Sequence, residues 1–460
     1  MGSTNEGYIE HHAIEHIPES ERHGRPWNLF TLWFASNVQI NAVVTGALAV
    51  YVGLNLFWAI FAIVVGNLVG GLFMAYHSVQ GPRMGVPQMI QSRAQFGFLG
   101  ASLPMAVTVL MYLGFAIEGG IVAGEAISGK TGLSVSLSII IFNAVLLLIA
   151  VVGYDLIHNV SKVISVISGV AFVLLTVNLV SHLGSVPTGG HTAWQNVLLA
   201  ISIFIAWQIT WAPYVSDYSR YLPHDTSMAK TFWYTFIGSA VGSSWSMLIG
   251  AFAVLVGGNA FGANSIGYLA GRFPGIGTLL FAALLLSLVP AGAEGPYGAF
   301  LTGLASITER GVGRTNGTKV RVAFMTVFTI IATILAIAAS SNLLTTFENI
   351  TLFLLYLLVP WTAINLTDYY IVRRGDYDVP EFFKRTGLYG FLNVRAVVLY
   401  LVAIVVEIPF INSSLYEGPI AKQMGGADIS WIVGLVVSAV GYYMLVHPSR
   451  REPKTLVTGE

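Results

Sequence analysis

Apolar positions along the chain fall into long blocks that recur from Leu29 to Val446. About 20 apolar residues cross a ~30 Å hydrocarbon layer as a helix. The blocks predict twelve spanning helices, at 28–54, 57–77, 101–128, 134–153, 160–182, 195–221, 231–257, 274–307, 321–341, 345–372, 395–412 and 429–446. Two polar stretches interrupt the series, RRGDYDVPEFFKRTGLYGFLNVR from Arg373 and SSLYEGPIAKQMGGAD from Ser413. The first separates ten spans from a final pair, which predicts a tail over 1–26, a ten-helix core over 27–374, a linker over 375–394, two added helices over 395–447 and a tail over 448–460. The added pair is expected to pack or to oligomerise, and the oligomeric state stays open. The Gly66–Gly70 and Gly238–Gly242 spacings predict close helix packing.

Composition agrees: 55% of residues are hydrophobic and 10% charged, against roughly 45–50% and about 25% in soluble proteins. This excludes a soluble enzyme. The 22 basic and 22 acidic residues balance, so charge makes no case for a nucleic-acid partner; membrane lipid is the expected surrounding. With no cysteine, disulfides, thiolate nucleophiles and Cys-ligated metals are closed. The first 26 residues hold no apolar core, so no cleavable signal is expected. With the N-terminus inside, 19 Lys and Arg lie in inner segments and only Lys130, Arg272 and Lys422 outside. The positive-inside rule then predicts a plasma-membrane protein with both termini cytoplasmic.

Transporters built from inverted repeats bind their cargo at interrupted helices near the midplane. Span one carries FASNVQINAVVTG, with Ser36, Asn37, Gln39 and Asn41 in an apolar helix. Span six carries WQITWAPYVSDYSRYLP, where Pro213 removes a backbone donor beside Gln208, Thr210 and Ser216. Spans one and six occupy matching places in two five-helix halves. Span eight reads SLVPAGAEGPYGAF from Ser287, with Glu294 between Gly292 and Pro296. A charge at the bilayer centre costs at least ~2.5 kcal/mol, so Glu294 reads as functional. In span three, Phe115, Glu118 and Glu125 share a helical face, with Glu125 read as a solvated helix end.

Asp217 and Arg220, at i and i+3, predict an ion pair or inner gate. Lys162 is expected to snorkel, and Glu348 and Glu407 to lie near outer helix ends. His11, His12 and His16 read as part of a polar tail, so no metal and no organic cofactor is assigned. Trp207, Trp211 and Phe115 stand apart from interfacial aromatics because they adjoin the predicted breaks. No HExxH, no GxSxG and no cysteine is present, which counts against a membrane-embedded enzyme. A carrier is favoured over a channel.

Four segments, WFASNVQIN at Trp33, MGVPQMIQSRAQFG at Met84, SDYSRYLP at Ser216 and PWTAINLTDYYIVRRGDYD at Pro360, together with the span layout, resemble the nucleobase cation symporter family, in its purine and cytosine permease branch. The resemblance implies an all-α membrane protein with a leucine-transporter-like core of two inverted five-helix repeats plus two helices. It also implies symport of a nucleobase with a sodium ion or proton. Carried over by position, the family's span-three aromatic falls on Phe115, and span six offers Trp207 or Gln208. A flat base would stack on such groups while amides and carboxylates read its edge. The candidate substrate residues are thus Phe115, Glu118, Trp207, Gln208, Trp211, Glu294, Asn37 and Gln39.

Two departures stand out. The family's polar residue one turn after the span-three aromatic is here Gly119, with the carboxylate adjacent at Glu118. The Pro-Ala-Asn segment of span eight, with a second Asn three residues on, is here Pro290, Ala291, Gly292 and Gly295, with Glu294 inserted. Carboxylates in place of amides point to a ligand with several N–H donors, such as a guanine-like edge, or to a cationic guanidine or amine. Val289 to Gly295 contains no Ser or Thr for sodium, so protons are favoured, with Glu294 and Glu118 as coupling groups and sodium as the alternative.

Overall fold

The computed structural model describes residues 14–152, 154–182, 184, 192–307 and 317–446. His11, His12, Arg310, Arg314, Arg450, Arg451, Lys454 and the side chain of Lys162 lie outside the described residues. Among the described residues nine helices are long and apolar enough to cross a membrane. They are Leu56–Met84, Ser102–Thr131, Val135–Val152, Val163–Ser181, Trp194–Ser219, Met228–Gly257, Gly277–Ser306, Lys319–Ala339 and Leu343–Val372, at the places of spans two to ten. Span one is a broken pair, Trp27–Asn37 and Ile40–Tyr51, bent by 64°. Two shorter helices, Val394–Glu407 and Ser430–Val446, stand where spans eleven and twelve are expected. At ~1.5 Å per residue they reach about 21 and 26 Å, short of a full hydrocarbon layer, and the 3-10 turn Ile408–Phe410 lengthens the first.

Each break has a local cause. In span one Gln39 is extended (φ −145°, ψ 159°), which frees backbone groups that side chains then satisfy. Gln39 Nε2 donates to Ser36 O (3.0 Å) and Ser246 Oγ to Asn37 O (2.8 Å), while Ile40 N donates to Ser287 Oγ (3.2 Å). Unwound backbone is tolerated at membrane depth only when satisfied in this way. In span six the helix Trp194–Ile209 gives way to a 3-10 turn, Ala212–Tyr214, with Pro213 near its start, before Val215–Ser219 resumes. Span eight breaks at Ser287 and Leu288, earlier than its glycines suggest. Pro290 sits in the first turn of Val289–Ile307, where a missing N–H leaves no bond unmade.

Spans one, two, six and seven pack as one group, and spans three, four, eight and nine as another. Glycines set the closest approaches. A Cβ on Gly250 would overlap the Val43 carbonyl, and one on Gly46 the Met247 carbonyl, so half-helix Ile40–Tyr51 lies backbone to backbone on span seven. Gly66 and Gly70 meet span six at Phe204 and Ile205, and Gly238 and Gly242 meet span one at Phe30 and Phe34. Spans ten, eleven and twelve pack together. Glu348 and Glu407 are buried, Glu407 fully, its carboxylate against Gly434. Asp428 ties the loop before span twelve to its neighbours, accepting from Tyr356 Oη (2.7 Å), Asn412 N (2.9 Å) and Ser430 Oγ (2.7 Å).

Candidate functional site

A cavity opens where the breaks of spans one, six and eight meet the middle of span three. Gln39 and Asn41 enter it from span one, Trp211 and Tyr214 from span six, and Tyr112 and Phe115 from span three. Span eight contributes Ala291, Gly292, Glu294 and Gly295, and Phe142 and Leu146 of span four close the far side. Most of this wall is apolar or aromatic, with few polar groups, as in small-molecule sites generally. Phe115 and Trp211 stand 6.3 Å apart at 31°, Trp211 and Tyr214 5.7 Å apart at 51°, and Tyr112 and Tyr214 5.4 Å apart at 36°.

The polar groups include one carboxylate, two amides, two tyrosine hydroxyls and one indole. Glu294 Oε2 accepts from Tyr218 Oη (3.3 Å). Gln39 Oε1 and Asn41 Oδ1 are buried without a hydrogen-bond partner, as is the one indole donor, Trp211 Nε1. The Gln39 amide is oriented by its bond to Ser36 O, which leaves the carbonyl oxygen as its free end. Gly119, Gly292 and Gly295 also line the cavity, at the positions discussed above as replacing polar family residues. A Cβ at Gly119 would stand 3.6 Å from Asn41 Nδ2, and one at Gly295 3.9 Å from Tyr112 O, so these glycines leave room.

Of the residues expected to bind substrate, Phe115, Trp211, Gln39 and Glu294 meet in this cavity. Asn37, Trp207 and Gln208 sit one layer behind it in a polar network. Trp207 Nε1 donates to Asn37 Oδ1 (2.7 Å), and Asn37 Nδ2 to Trp33 O (2.8 Å) and Ser239 Oγ (3.2 Å). Gln208 Nε2 donates to Asn67 Oδ1 (2.9 Å) and Ser243 Oγ (2.6 Å), while its Oε1 accepts from Ser239 Oγ (2.7 Å). These amides join spans one, two, six and seven. Glu118 lies outside the cavity lining, 1% exposed, with neither carboxylate oxygen bonded. Glu125 is half-buried and leaves Oε2 without a partner.

Tyr112, Tyr214 and Tyr218 were not singled out by sequence reasoning. Helical spacing was the available signal: Tyr112 precedes Phe115 by one turn and Tyr214 follows Trp211 by three residues. Ser287, two residues before the hydroxyl-free stretch Val289 to Gly295, sits at the span-eight break. Its Oγ accepts from Ile40 N (3.2 Å) and donates to Leu284 O (2.6 Å), so it is engaged in holding the two breaks together.

Asp217 and Arg220 lie at the arginine-bearing end of span six. Asp217 Oδ1 accepts from Gln88 N (2.8 Å), and Arg220 reaches Glu15 O (3.3 Å) of the segment preceding span one. Residues 86–96, between spans two and three, are two short buried helices rather than a surface loop. Gln88 accepts from Ser216 Oγ (2.5 Å) and donates to Gln80 Oε1 (3.2 Å). Gln80 continues to Asn365 Oδ1 (2.8 Å), Asn365 to Gln95 Oε1 (3.4 Å), and Gln95 to Asp368 Oδ2 (2.7 Å). Asp368 also takes Arg373 Nε (3.0 Å) and Tyr442 Oη (3.1 Å). His16 contacts Arg22 Nη2 (3.2 Å).

The family model for permeases for cytosine/purines, uracil, thiamine and allantoin matches residues 16–434. A Bacillus subtilis protein assigned by name to the purine-cytosine permeases is 41% identical over 444 residues, 96% of each chain. The purine-cytosine permease fcyB of Emericella nidulans is 25% identical over 95% of this chain and 88% of its own. In structure, the chain superposes on Mhp1, a nucleobase-cation-symport-1 transporter in a closed conformation with bromovinylhydantoin bound. The TM-score is 0.71 at 18% identity, covering 96% of this chain and 95% of that one. That likeness identifies the fold: twelve helices, with a leucine-transporter-like core of two inverted five-helix repeats. The chain is a membrane transporter, not an enzyme, and belongs to the family of permeases for cytosine/purines, uracil, thiamine and allantoin.

Proposed function

We propose that the protein imports a nucleobase, a purine or a cytosine-like base, across the plasma membrane by alternating access, driven by the proton gradient. The observation that carries this reading is the cavity itself, where aromatic faces of Phe115 and Trp211 adjoin the Glu294 carboxylate at the meeting of three broken helices. A planar heteroaromatic ring gains stacking from the first two, and its N–H edge gains charge-assisted hydrogen bonds from the third. The Bacillus subtilis and Emericella nidulans relatives carry the name purine-cytosine permease. The arginine-bearing face is the cytoplasmic one in this reading, with both termini on that side. Asp217 and Arg220 then stand at the inner end of the path as gate residues.

Proton coupling rests on how the breaks are filled. The Ser36 and Asn37 carbonyls and the Ser287 hydroxyl at the breaks of spans one and eight bond to Gln39, Ser246 and Ile40, which leaves each oxygen less free to hold a sodium ion. Two carboxylates within the spans, Glu118 and Glu294, can take up a proton instead. A second reading, a cationic guanidine or amine as cargo, is favoured by one feature: the wall holds the Glu294 carboxylate and, among the described residues that line it, no Lys, Arg or His.

Thermal stabilisation of the purified protein separates the two. Guanine, adenine, hypoxanthine and cytosine are expected to raise the melting temperature of the wild type, with Glu294→Gln weakening that response at least tenfold in ligand concentration. Stabilisation by guanidinium or a diamine alone would replace the nucleobase reading with the cationic one.

A further inference from the structure

The two carboxylates that the sequence groups together occupy different places. Glu294 faces the cavity and is bonded to Tyr218, whereas Glu118 is sealed away from it with both oxygens unbonded. Its position on span three is fixed by its neighbours. Gly114, one turn earlier, lies against Ile350 and Leu354 of span ten, and Gly119, the next residue, faces Asn41 at the start of half-helix Ile40–Tyr51. Glu118, four residues after Gly114 and next to Gly119, thus lies between the face of span three turned to span ten and the face turned to half-helix Ile40–Tyr51. The elements packed on span three carry other titratable groups: Tyr51, Tyr268, Glu294, Tyr297, Lys319, Arg321, Glu348 and Tyr356. None of them donates a hydrogen bond to either Glu118 oxygen.

We infer that Glu118 is the site of the co-transported proton, separate from the substrate cavity, and that Glu294 serves the substrate alone. This rests on the nucleobase-symporter reading and divides its two tasks between two residues. A carboxyl with no donor and no water-facing edge fits this place as the neutral acid, so the protein in this arrangement holds one proton there. Span three and half-helix Ile40–Tyr51 belong to groups that must rock against each other for alternating access. That motion parts span three from the half-helix beside Gly119 and opens the adjoining Glu118 carboxyl to water. The proton then binds from one side and leaves to the other in step with the cargo, with no contact between the two.

The test compares counterflow with gradient-driven uptake in proteoliposomes. Labelled guanine, adenine, hypoxanthine and cytosine are each tested, with a lumenal pH dye to record proton entry. Glu118→Gln, which fixes the neutral form, is expected to retain exchange of labelled for unlabelled base with KM within about threefold. It should lose accumulation under a pH gradient and lose lumenal acidification on base entry. Glu294→Gln is expected to lose exchange and accumulation together. Accumulation at the wild-type level by Glu118→Gln overturns the inference while leaving the transporter reading intact. Absence of exchange by the wild type with all four bases overturns the underlying reading instead. If Glu118→Gln does not fold, Glu118→Asp decides: retained proton entry with a displaced pH profile supports the assignment, and an unchanged profile contradicts it.

Discussion

Phe115 and Trp211 stand 6.3 Å apart at 31°, and that spacing sets what the cavity can hold. A ring between two others needs about 7 Å, twice a ~3.5 Å contact distance. A base therefore enters the gap only if the two rings part by roughly 1 Å, or it stacks on one of them with its edge toward Glu294. Either way Trp211→Ala removes one stacking face, for which about 1–3 kcal/mol is expected. This amounts to a roughly five- to 150-fold rise in the half-saturating base concentration, read by thermal stabilisation, with Trp211→Phe recovering part of it. An unchanged response would place the base elsewhere. Phe115, Trp211 and Glu294 were legible in the sequence because an aromatic or a carboxylate beside a helix break is conspicuous. Asn37, Gln208 and Trp207 were equally conspicuous, yet they bond to one another and to Ser239, Ser243 and Asn67 behind the cavity. Residue type is visible in a sequence; the rotation of a helix relative to its neighbours is not, and that rotation decides which polar side chains face cargo.

Apolar blocks give the helices directly, because the bilayer requires a nearly unbroken run for each span. The breaks in spans one and six were also readable, from amides and Pro213 in otherwise apolar runs. The span-eight break was displaced in the reading because prolines and glycines mark tolerance for a break rather than its position; Ser287 and Leu288 carry it. The burial of residues 86–96 was hidden, since a short polar connection reads as a surface loop. Close approach at Gly250 makes a direct prediction. Gly250→Ala forces half-helix Ile40–Tyr51 away from span seven, and overpacking of this kind costs about 1–3 kcal/mol. A lower melting temperature is expected, with weakened base binding, because the same half-helix carries Asn41. Burial pushes the Asp428 carboxyl above the usual carboxylate range, against the pull of its bonds to Asn412, Ser430 and Tyr356. A folded value above the unfolded one means that its contribution to stability is fullest below the unfolded value and declines as pH rises through the folded one. The melting temperature of the wild type relative to Asp428→Asn is therefore expected to fall as pH rises above about 4, the unfolded value; a constant difference would contradict it.

Across the molecule, two groups of four spans meet at the cavity, and the run of amides from Gln88 to Asp368 ties spans two, six, ten and twelve on the arginine-bearing side. Each neutral bond in such a run is worth about 1 kcal/mol, so the run as a whole holds that side together while individual links can give way. Gln88→Ala removes the residue that connects Ser216 to Gln80 and is expected to shift the population toward opening on that side. Because the natural chain has no cysteine, a single Ala116→Cys in the cavity wall reports the change. Its labelling by an impermeant maleimide from the arginine-bearing side is expected to quicken severalfold with Gln88→Ala. No change in rate would mean that the run is structural only. The added helices were legible as a pair, but their packing on span ten, through Tyr442 and Asp428, joins residues distant in sequence and had no signature there.

The measurement that bears most directly on the central claim is uptake by proteoliposomes under an inwardly directed proton gradient with sodium absent, using labelled guanine, adenine, hypoxanthine and cytosine in turn. The account predicts that at least one base accumulates above its outside concentration, that a protonophore abolishes the accumulation, and that added sodium leaves it unaltered. Accumulation that requires a sodium gradient, or no base uptake alongside transport of guanidinium or a diamine, would contradict it.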